Sequence, residues 1–360
     1  MAQLRDQWVD YARGLGILLV VYGHVSRGVF NAGIAMNAQC FTLIDSVIYS
    51  FHMPLFFFLS GLYFLPSLDK RGPRALLADK LDSLAYPYIL WSLLQGGIEV
   101  LLARFTTAKT SLADVLSLFW QPRAQFWFLY VLFLIFVLLA WLYRPIASGT
   151  TADSKWSTVV RAWIWPLAAL LLWLWQNTVQ LIFPLDFIAA YLLYFLLGAQ
   201  FPKWKAAMQA RAVACLAAST FSFIALGYFF HAELGLLYSA SSWLKLPLAL
   251  SGITLICSLS MLCARIQNKT LAWLAVCGVY SMPIYLMHIL ASSGVRIVLQ
   301  KFLHLPSAGL HIACGMLAGV ALPILVYRLS RNAAIPASSA LAWLFAPPRW
   351  LAFGKRNSGS

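Results

Sequence analysis

Arg13 and His24 stand at the start and in the interior of one strongly apolar stretch, where charge is expensive. On insertion scales, a charged side chain at the centre of a bilayer costs at least ~2.5–3.5 kcal/mol. Eleven helical steps turn by about 1100°, roughly 20° beyond three full turns, so both side chains share one helix face. The rise of ~16.5 Å predicts Arg13 at the rim of a ~30 Å hydrocarbon core and His24 near its middle.

His24 is a candidate for proton transfer, because a neutral imidazole is the cheapest proton-transfer group to bury. Asp10 stands one helical turn before Arg13, where its carboxylate is placed to hold the guanidinium. The competing interpretation is that Arg13 extends to the membrane surface and that His24 only makes a hydrogen bond within a helix bundle. The spacing alone leaves both interpretations open.

The second apolar stretch, SFHMPLFFFLSGLYF, places His52 two residues before Pro54. A proline frees a backbone carbonyl and bends a membrane helix. The small pair Ser60 and Gly61 permits close helix packing. We expect His52 and Ser60 to line a cavity at the bend, although packing alone also explains the proline and the small residues.

The loop after this stretch, DKRGPRALLADKLDSLAYPYILW, carries the cations Lys70, Arg71, Arg74 and Lys80. Such residues ordinarily determine membrane topology. A cluster of cations can also bind a phosphorylated cofactor.

A late apolar stretch, YSMPIYLMHIL, places Tyr285 and His288 three residues apart and therefore on one helix face. Asp45 and Glu99 are further ionisable groups expected at membrane depth, where such residues are functional candidates.

The composition indicates a membrane protein: 62% of the 360 residues are hydrophobic and only 10% are charged. Soluble domains carry about 25% charged residues. The net charge of +15 does not indicate nucleic-acid binding, because the cations lie in short loops between apolar stretches. The six cysteines show no CxxC spacing, so no metal site is predicted.

We predict an all-α polytopic membrane protein with about ten transmembrane helices and both termini in the cytoplasm. In that orientation 19 of the 26 Lys and Arg residues face the cytoplasm. The predicted domains are a transmembrane domain over 1–328 and a cytoplasmic or interfacial tail over 329–360, and 147–154 is predicted to be a flexible loop. The predicted spans are 14–30, 41–66, 84–104, 126–143, 161–177, 187–201, 212–230, 244–263, 273–298 and 309–327.

Together these motifs resemble the acyltransferase 3 family of integral membrane acyltransferases, in the branch that acetylates sugars of exopolysaccharides. The resemblance rests on DYARGLGILLVVYGH and FHMPLFFFLSG, and is supported by the basic residue before YPYILW, by FWFLY and by YSMPIYLMH. FWFLY adds Trp127 to the candidates for the substrate cavity, beside His52, Ser60, Tyr285 and His288. The family usually shows two basic residues three apart before the proline of the third span. Here only Lys80 matches, with Arg74 as a substitute.

The resemblance implies transfer of an acyl group from cytoplasmic acetyl-CoA to a hydroxyl of a surface or exported glycan. A location in the bacterial inner membrane and no metal cofactor are also implied. His24 would act as general base or as an acyl relay, with Arg13 and Asp10 beside it and Arg13, Arg74 and Lys80 toward the CoA phosphates. The alternative function is a proton-coupled transporter or flippase of an envelope precursor. The sequence leaves the acceptor and the oligomeric state open.

Overall fold

The computed structural model describes residues 6–102, 110–143, 163–266, 268–332 and 338–354. Every regular element within these ranges is helical, which confirms the all-α fold class. The predicted flexible loop over 147–154 lies outside the described residues. So do eight of the cations that the predicted orientation counts, namely Arg5, Arg104, Lys109, Arg144, Lys155, Arg161, Lys355 and Arg356.

The α-helices are numbered here in chain order over the described residues. They are α1 Gln7–Asn31, α2 Ala38–Tyr49, α3 His52–Gly61, α4 Phe64–Lys80, α5 Tyr86–Leu101, α6 Leu112–Leu116, α7 Trp127–Leu142, α8 Trp165–Gln176, α9 Leu185–Gln200, α10 Lys205–Ala210, α11 Ala212–Tyr228, α12 Lys245–Ile266, α13 Ala272–Val279, α14 Ser281–Ile297, α15 Ala308–Ser330 and α16 Ser338–Ala342.

Within the described part of the chain, seven helical segments are long and apolar enough to cross a membrane. They coincide with seven of the predicted spans, so the chain is a multi-pass membrane protein. The remaining three predicted spans correspond to α1, α5 and α8. The polar side chains of α1 lower its mean hydropathy, while α5 and α8 are short, and their predicted spans continue into 103–104 and 161–162, outside the described residues. The count of ten spans and the cytoplasmic position of both termini therefore stay predictions.

The second predicted span breaks beside its proline, as expected. α2 ends at Tyr49 and α3 begins at His52, two residues before Pro54. Because Pro54 has no backbone N–H, the carbonyl of Ser50 loses its helical donor at this point. The break therefore places His52 at the first position of a new helix.

Two predicted elements differ from the structure. The segment after the second span, predicted to be a loop, is the helix α4, and the chain continues through a π-helical turn, Leu81–Ala85, directly into α5. Gly72 absorbs the kink before Pro73 with a positive φ of 73°. The ninth predicted span is divided at Tyr280 into α13 and α14, because Pro283 cannot donate to the carbonyl of Val279.

The chain forms two compact units. The first consists of Met1–Leu59 and Phe201–Leu325, and the second of Ser60–Gln200 and Val326–Ser360. The predicted division into 1–328 and 329–360 stays a prediction.

In the first unit, α1 packs against α12, α13 and α14. Two glycines allow a close approach to α13, because a β-carbon on Gly278 would overlap the carbonyl of Asp10 and one on Gly14 would overlap the carbonyl of Leu274. Small residues at matched positions are the usual means of bringing membrane helices together. This contact holds the half of α1 that carries Arg13.

In the second unit, the aromatic rings of Phe64, Phe136, Tyr143 and Phe195 pack edge to face between α4, α7 and α9. A β-carbon on Gly61, the last residue of α3, would overlap the carbonyl of Phe195, so the chain at Gly61 meets α9 backbone to backbone.

The C-terminal tail, predicted to be interfacial, is bonded to the second unit. Asp82 accepts hydrogen bonds from the backbone N–H groups of Phe353 and Gly354, at 2.9 and 2.8 Å. Trp91 donates its indole N–H to the carbonyl of Leu344 at 2.6 Å. Trp350 is 79% exposed, which agrees with an aromatic side chain at a membrane surface.

We predict that Gly278→Ala lowers the thermal unfolding temperature of the detergent-solubilised protein. The added methyl group has no room against Asp10, and overpacking costs about 1–3 kcal/mol. Gly294→Ala is the matched control on α14, because a β-carbon there meets no atom within 4 Å. Equal unfolding temperatures for the two variants would show that the α1–α13 contact is looser than described.

Candidate active site

Three histidines of the first unit lie close to the middle of α1. His24 is half-buried, whereas His52 is 1% and His288 0% exposed. The ring centres of His24 and His288 are 5.1 Å apart. Of the three imidazoles, His24 is therefore the one that keeps accessible surface.

His288 has one ring nitrogen engaged and one without a partner. Nδ1 lies 2.9 Å from the carbonyl oxygen of Tyr285 and 3.0 Å from that of Ile284. Since carbonyls only accept, Nδ1 carries the proton and Nε2 carries the lone pair. Nε2 is buried and has no hydrogen-bond partner among the described residues.

His52 is held in the same way at the start of α3. Its Nδ1 lies 2.8 Å from the carbonyl oxygen of Ile48, on the last turn of α2, so Nδ1 is the protonated nitrogen here too. The ring of Tyr49 packs edge-on against His52, with 4.4 Å between the ring centres. The break near Pro54 thus fixes the orientation of a buried imidazole.

Arg27 lies one helical turn beyond His24 and forms the ion pair of this site. Its guanidinium donates to both carboxylate oxygens of Asp45, at 2.7 and 2.8 Å. It also lies 3.5 Å from the ring centre of Tyr49 and donates to the hydroxyl of Tyr238 at 3.0 Å. A bidentate fork and a stacked aromatic ring together suit arginine and not lysine.

The tyrosines extend this network across the first unit. Tyr238, from the segment between α11 and α12, receives a hydrogen bond from Arg27 and donates its backbone N–H to the Ser46 hydroxyl at 2.7 Å. The rings of Tyr49 and Tyr238 are 5.2 Å apart. Asp45, Arg27, Tyr49 and His52 therefore form one connected chain of contacts.

Among the described residues, His288, Arg27 and His52 are close enough to His24 to act on it electrostatically. Arg27 is neutralised by Asp45, and the imidazoles of His52 and His288 are tied to backbone carbonyls. A half-buried imidazole among such fixed groups can accept a proton from a hydroxyl and return it to a leaving group.

Arg13 and Asp10 lie together on the first turns of α1, as predicted. Asp10 is 7% exposed and Arg13 is half-buried. The continuous helix confirms that Arg13 and His24 share a face, about 16.5 Å apart along the axis. Tyr285, 7% exposed, has its ring centre 6.4 Å from that of His288.

The other predicted site residues belong to the second unit. Ser60 is half-buried, and Trp127 packs its ring against Phe187 and Tyr191, at 4.8 and 5.4 Å. Their roles at a substrate cavity stay predictions.

The predicted phosphate-binding cations differ from one another in the structure. Lys80 is paired with Asp79 at 3.1 Å and lies over the ring of Phe136, at 4.9 Å. Arg74 is exposed and has no ionic partner among the described residues. Arg71 also bonds Asp79, at 3.5 Å. Of the cluster, Arg74 is therefore better placed than Lys80 to bind an added anion.

Arg27, Tyr49 and Tyr238 are the site residues that sequence analysis missed. The sequence analysis gives Arg27 no role of its own, although its position three residues after His24 is a usable signal. Asp45 was suspected, and the structure supplies its partner. The equally suspected Glu99 bonds Arg123 at 3.0 Å in the second unit. Among the described residues, no group of His, Cys, Asp and Glu side chains is arranged to hold a metal ion.

Comparison with known proteins adds a family to this geometry. A family model described as an acyltransferase domain matches residues 6–328. Glucans biosynthesis protein C of Escherichia coli K12 is 23% identical over 361 residues, which cover 90% of this chain and 91% of that protein. The proteins of the same name from Shigella dysenteriae serotype 1 and E. coli O157:H7 match with the same identity and coverage. No solved structure matches.

We predict that Asp45→Asn and Arg27→Gln each lower the free energy of unfolding by about 1–3 kcal/mol, since each leaves one charge of a partly buried pair, 28% exposed at Arg27 and 11% at Asp45, without its partner. The loss in the double variant is expected to be smaller than the sum of the two single losses by at least about 1 kcal/mol. The free energy of unfolding is measured for the wild type, the two single variants and the double variant in mixed micelles that contain an increasing fraction of denaturing detergent.

The matched control is the same double-mutant cycle carried out on the ion pair of Lys205 and Asp6. This pair has the same N–O distance, 2.7 Å, and its side chains are 30% and 35% exposed. Exposed pairs couple by about 0.2–1 kcal/mol. A coupling between Arg27 and Asp45 no larger than this control would contradict the structural role of the pair.

Proposed function

Since this chain belongs to the acyltransferase 3 family of membrane acyltransferases, we propose that it transfers an acetyl group from cytoplasmic acetyl-CoA to a hydroxyl of a surface or exported glycan. The observation that carries this proposal is the half-buried imidazole of His24 on α1, whose ring centre lies 5.1 Å from that of the buried His288. A proton-coupled transporter or flippase is less well supported, because the family match indicates acyl transfer.

His24 is the proposed general base. Its unprotonated nitrogen takes the proton of the acceptor hydroxyl while the oxygen attacks the carbonyl carbon of the thioester. When the carbon–sulfur bond breaks, the same proton passes to the CoA thiolate. The acyl-relay alternative, in which His24 itself carries the acetyl group, uses the same residue at the same position.

Arg13 is proposed to bind the donor from the cytoplasmic end of α1. It lies on the same face as His24, about half a membrane thickness away. Its planar fork suits a phosphate of CoA better than a lysine would, and Asp10 lies one turn before it to orient the guanidinium.

The acceptor is proposed to reach His24 from the opposite side of the membrane. The charged nucleotide of acetyl-CoA and a hydrophilic glycan are both unable to cross a bilayer unaided. A histidine near half depth can serve substrates that enter from opposite faces. The name of the E. coli and Shigella relatives, which refers to glucan biosynthesis, supports a glycan acceptor. Because these relatives are bacterial and the family consists of membrane acyltransferases, we propose a location in a bacterial inner membrane.

We predict that sealed inverted vesicles given labelled acetyl-CoA outside, at the cytoplasmic face, transfer label to a glycan acceptor enclosed inside. His24→Ala reduces the rate at least about 100-fold, the usual contribution of a general base, while the protein inserts normally. Arg13→Lys also loses most of the rate, because an ammonium group cannot reproduce a bidentate fork. Scintillation counting of the recovered glycan measures the rate.

Vesicles opened with mild detergent are the control, since both substrates then reach both faces. In a second arm the acceptor is added outside the sealed vesicles; label on that acceptor, with none on acceptor enclosed inside, would disprove the transmembrane path but leave acyl transfer intact. A well-inserted His24→Ala protein with the wild-type rate would disprove the role of His24.

We further predict that charge removal at Arg13, Arg74 and Lys80 weakens acetyl-CoA binding. Arg74→Gln is expected to reduce affinity about ten-fold, as for loss of one charged hydrogen bond. Lys80→Gln is expected to have a smaller effect, because Lys80 is already paired with Asp79. Isothermal titration calorimetry of CoA with the purified variants measures the dissociation constant. Lys203→Gln, which removes another exposed cation, is the control. Unchanged affinity in all three variants would leave these residues as topology determinants.

A further inference from the structure

His288 combines a fixed ring with an unused acceptor. Its Nδ1–H is engaged by the carbonyls of Tyr285 and Ile284, so Nε2 is the nitrogen with the lone pair. Nε2 is fully buried and has no partner among the described residues. A buried acceptor without a donor is destabilising by about 1–3 kcal/mol, so a donor is expected nearby.

The ring of His24 lies at the right distance to supply that donor. The nitrogens of an imidazole lie roughly 1.2 Å from its centre, so two rings joined by one N–H···N bond of ~2.9 Å have centres about 5 Å apart. The observed separation is 5.1 Å. The planes are tilted by 57°, so the hydrogen bond requires a rotation of the His24 ring about χ2, a torsion with a broad range.

Packing prevents His288 from moving away. The hydroxyl of Ser292 donates to the backbone carbonyl of His288 at 2.7 Å. Behind it, Gly319 lets α15 approach so closely that an added β-carbon would lie 3.6 Å from that of His288. α14 is therefore packed against α15 at His288, and the bonds of Nδ1–H to the carbonyls of Tyr285 and Ile284 hold the ring on its own helix.

The other polar groups near His24 are less well placed than His288 to accept a hydrogen bond from it. Arg27 has only donors, and these bind Asp45 and Tyr238. Asp45 accepts the guanidinium with both oxygens. His52 packs its ring against Tyr49, whereas His288 makes the ring contact with His24.

We infer that His288 is a positioning residue for His24: its Nε2 accepts a hydrogen bond from one nitrogen of His24 and so leaves the other nitrogen unprotonated toward the substrates. The inference rests on the proposed role of His24 as the base. In the reaction, the hydroxyl proton moves to the free nitrogen of His24 and later to the CoA sulfur, while His288 keeps its own proton on Nδ1. A hydrogen bond of this kind fixes the tautomer and raises the basicity of the imidazole that donates it.

Two substitutions of His288 separate positioning from packing. His288→Leu removes the acceptor and is expected to reduce kcat about 100-fold, with the KM for acetyl-CoA changed less than about three-fold. His288→Gln keeps a carbonyl oxygen that can accept from His24, and is expected to stay within about ten-fold of the wild-type kcat. Equal losses in both variants, or a loss that appears in KM alone, would overturn the inference.

A second measurement does not depend on acyl transfer. Diethyl pyrocarbonate modifies unprotonated imidazole nitrogens, and mass spectrometry of the α1 peptide gives the rate at His24. We expect His288→Leu to slow this modification about five-fold and His288→Gln to restore it to within about two-fold. An unchanged rate in His288→Leu would overturn the inference even if activity were lost.

His311→Leu is the matched control. His311 is also 0% exposed in the first unit, with Nε2 bonded to the carbonyl of Leu305 at 2.9 Å and Nδ1 without a partner in the described part of the chain. Its substitution is expected to leave the modification of His24 unchanged, and slower modification there would show a general loss of packing and overturn the specific role of His288. If modification depends on His288 but the wild-type protein transfers no acyl group, the positioning stands and the proposed function fails.

Discussion

Neutralisation of the Arg27 guanidinium on α1 is the constraint on which the site depends. Arg27 is partly buried, and Asp45 accepts two short hydrogen bonds from it. The pair fixes α1 against α2, Tyr49 stacks on the guanidinium, and the edge of Tyr49 contacts His52. The orientation of a buried imidazole is thereby linked to an ion pair on neighbouring helices, since bonds in an apolar environment are stiff and strongly directional.

Much of this arrangement was predictable because it depends on short-range rules. The helices follow from apolar length, the break before His52 follows from a proline, and the shared face of Arg13 and His24 follows from helical periodicity. The pairing of Tyr285 with His288 on one face has the same origin. In each case the interacting positions lie within a few turns of one helix.

The remaining features depend on contacts between helices, which cannot be predicted from the local pattern of a single sequence. The sequence pattern assigns Arg27 no partner because Asp45 lies on another helix. The segment of α4 is predicted to be a loop between two apolar stretches, yet Gly72 adopts a left-handed conformation before Pro73 and the helix resumes. The proximity of His24 to His288 requires α14 to lie beside α1, which depends on glycine contacts that local patterns do not reveal.

The position of Asp45 in the chain has a consequence for biosynthesis. Only 18 residues separate it from Arg27, so the ion pair can form as soon as the first two helices leave the ribosome. The two helices can then enter the lipid phase as a neutral hairpin, without an unpaired charge awaiting a distant partner. The contacts of His24, by contrast, come from a helix made near the end of translation. The Arg27–Asp45 pair can therefore form before the contact between His24 and His288.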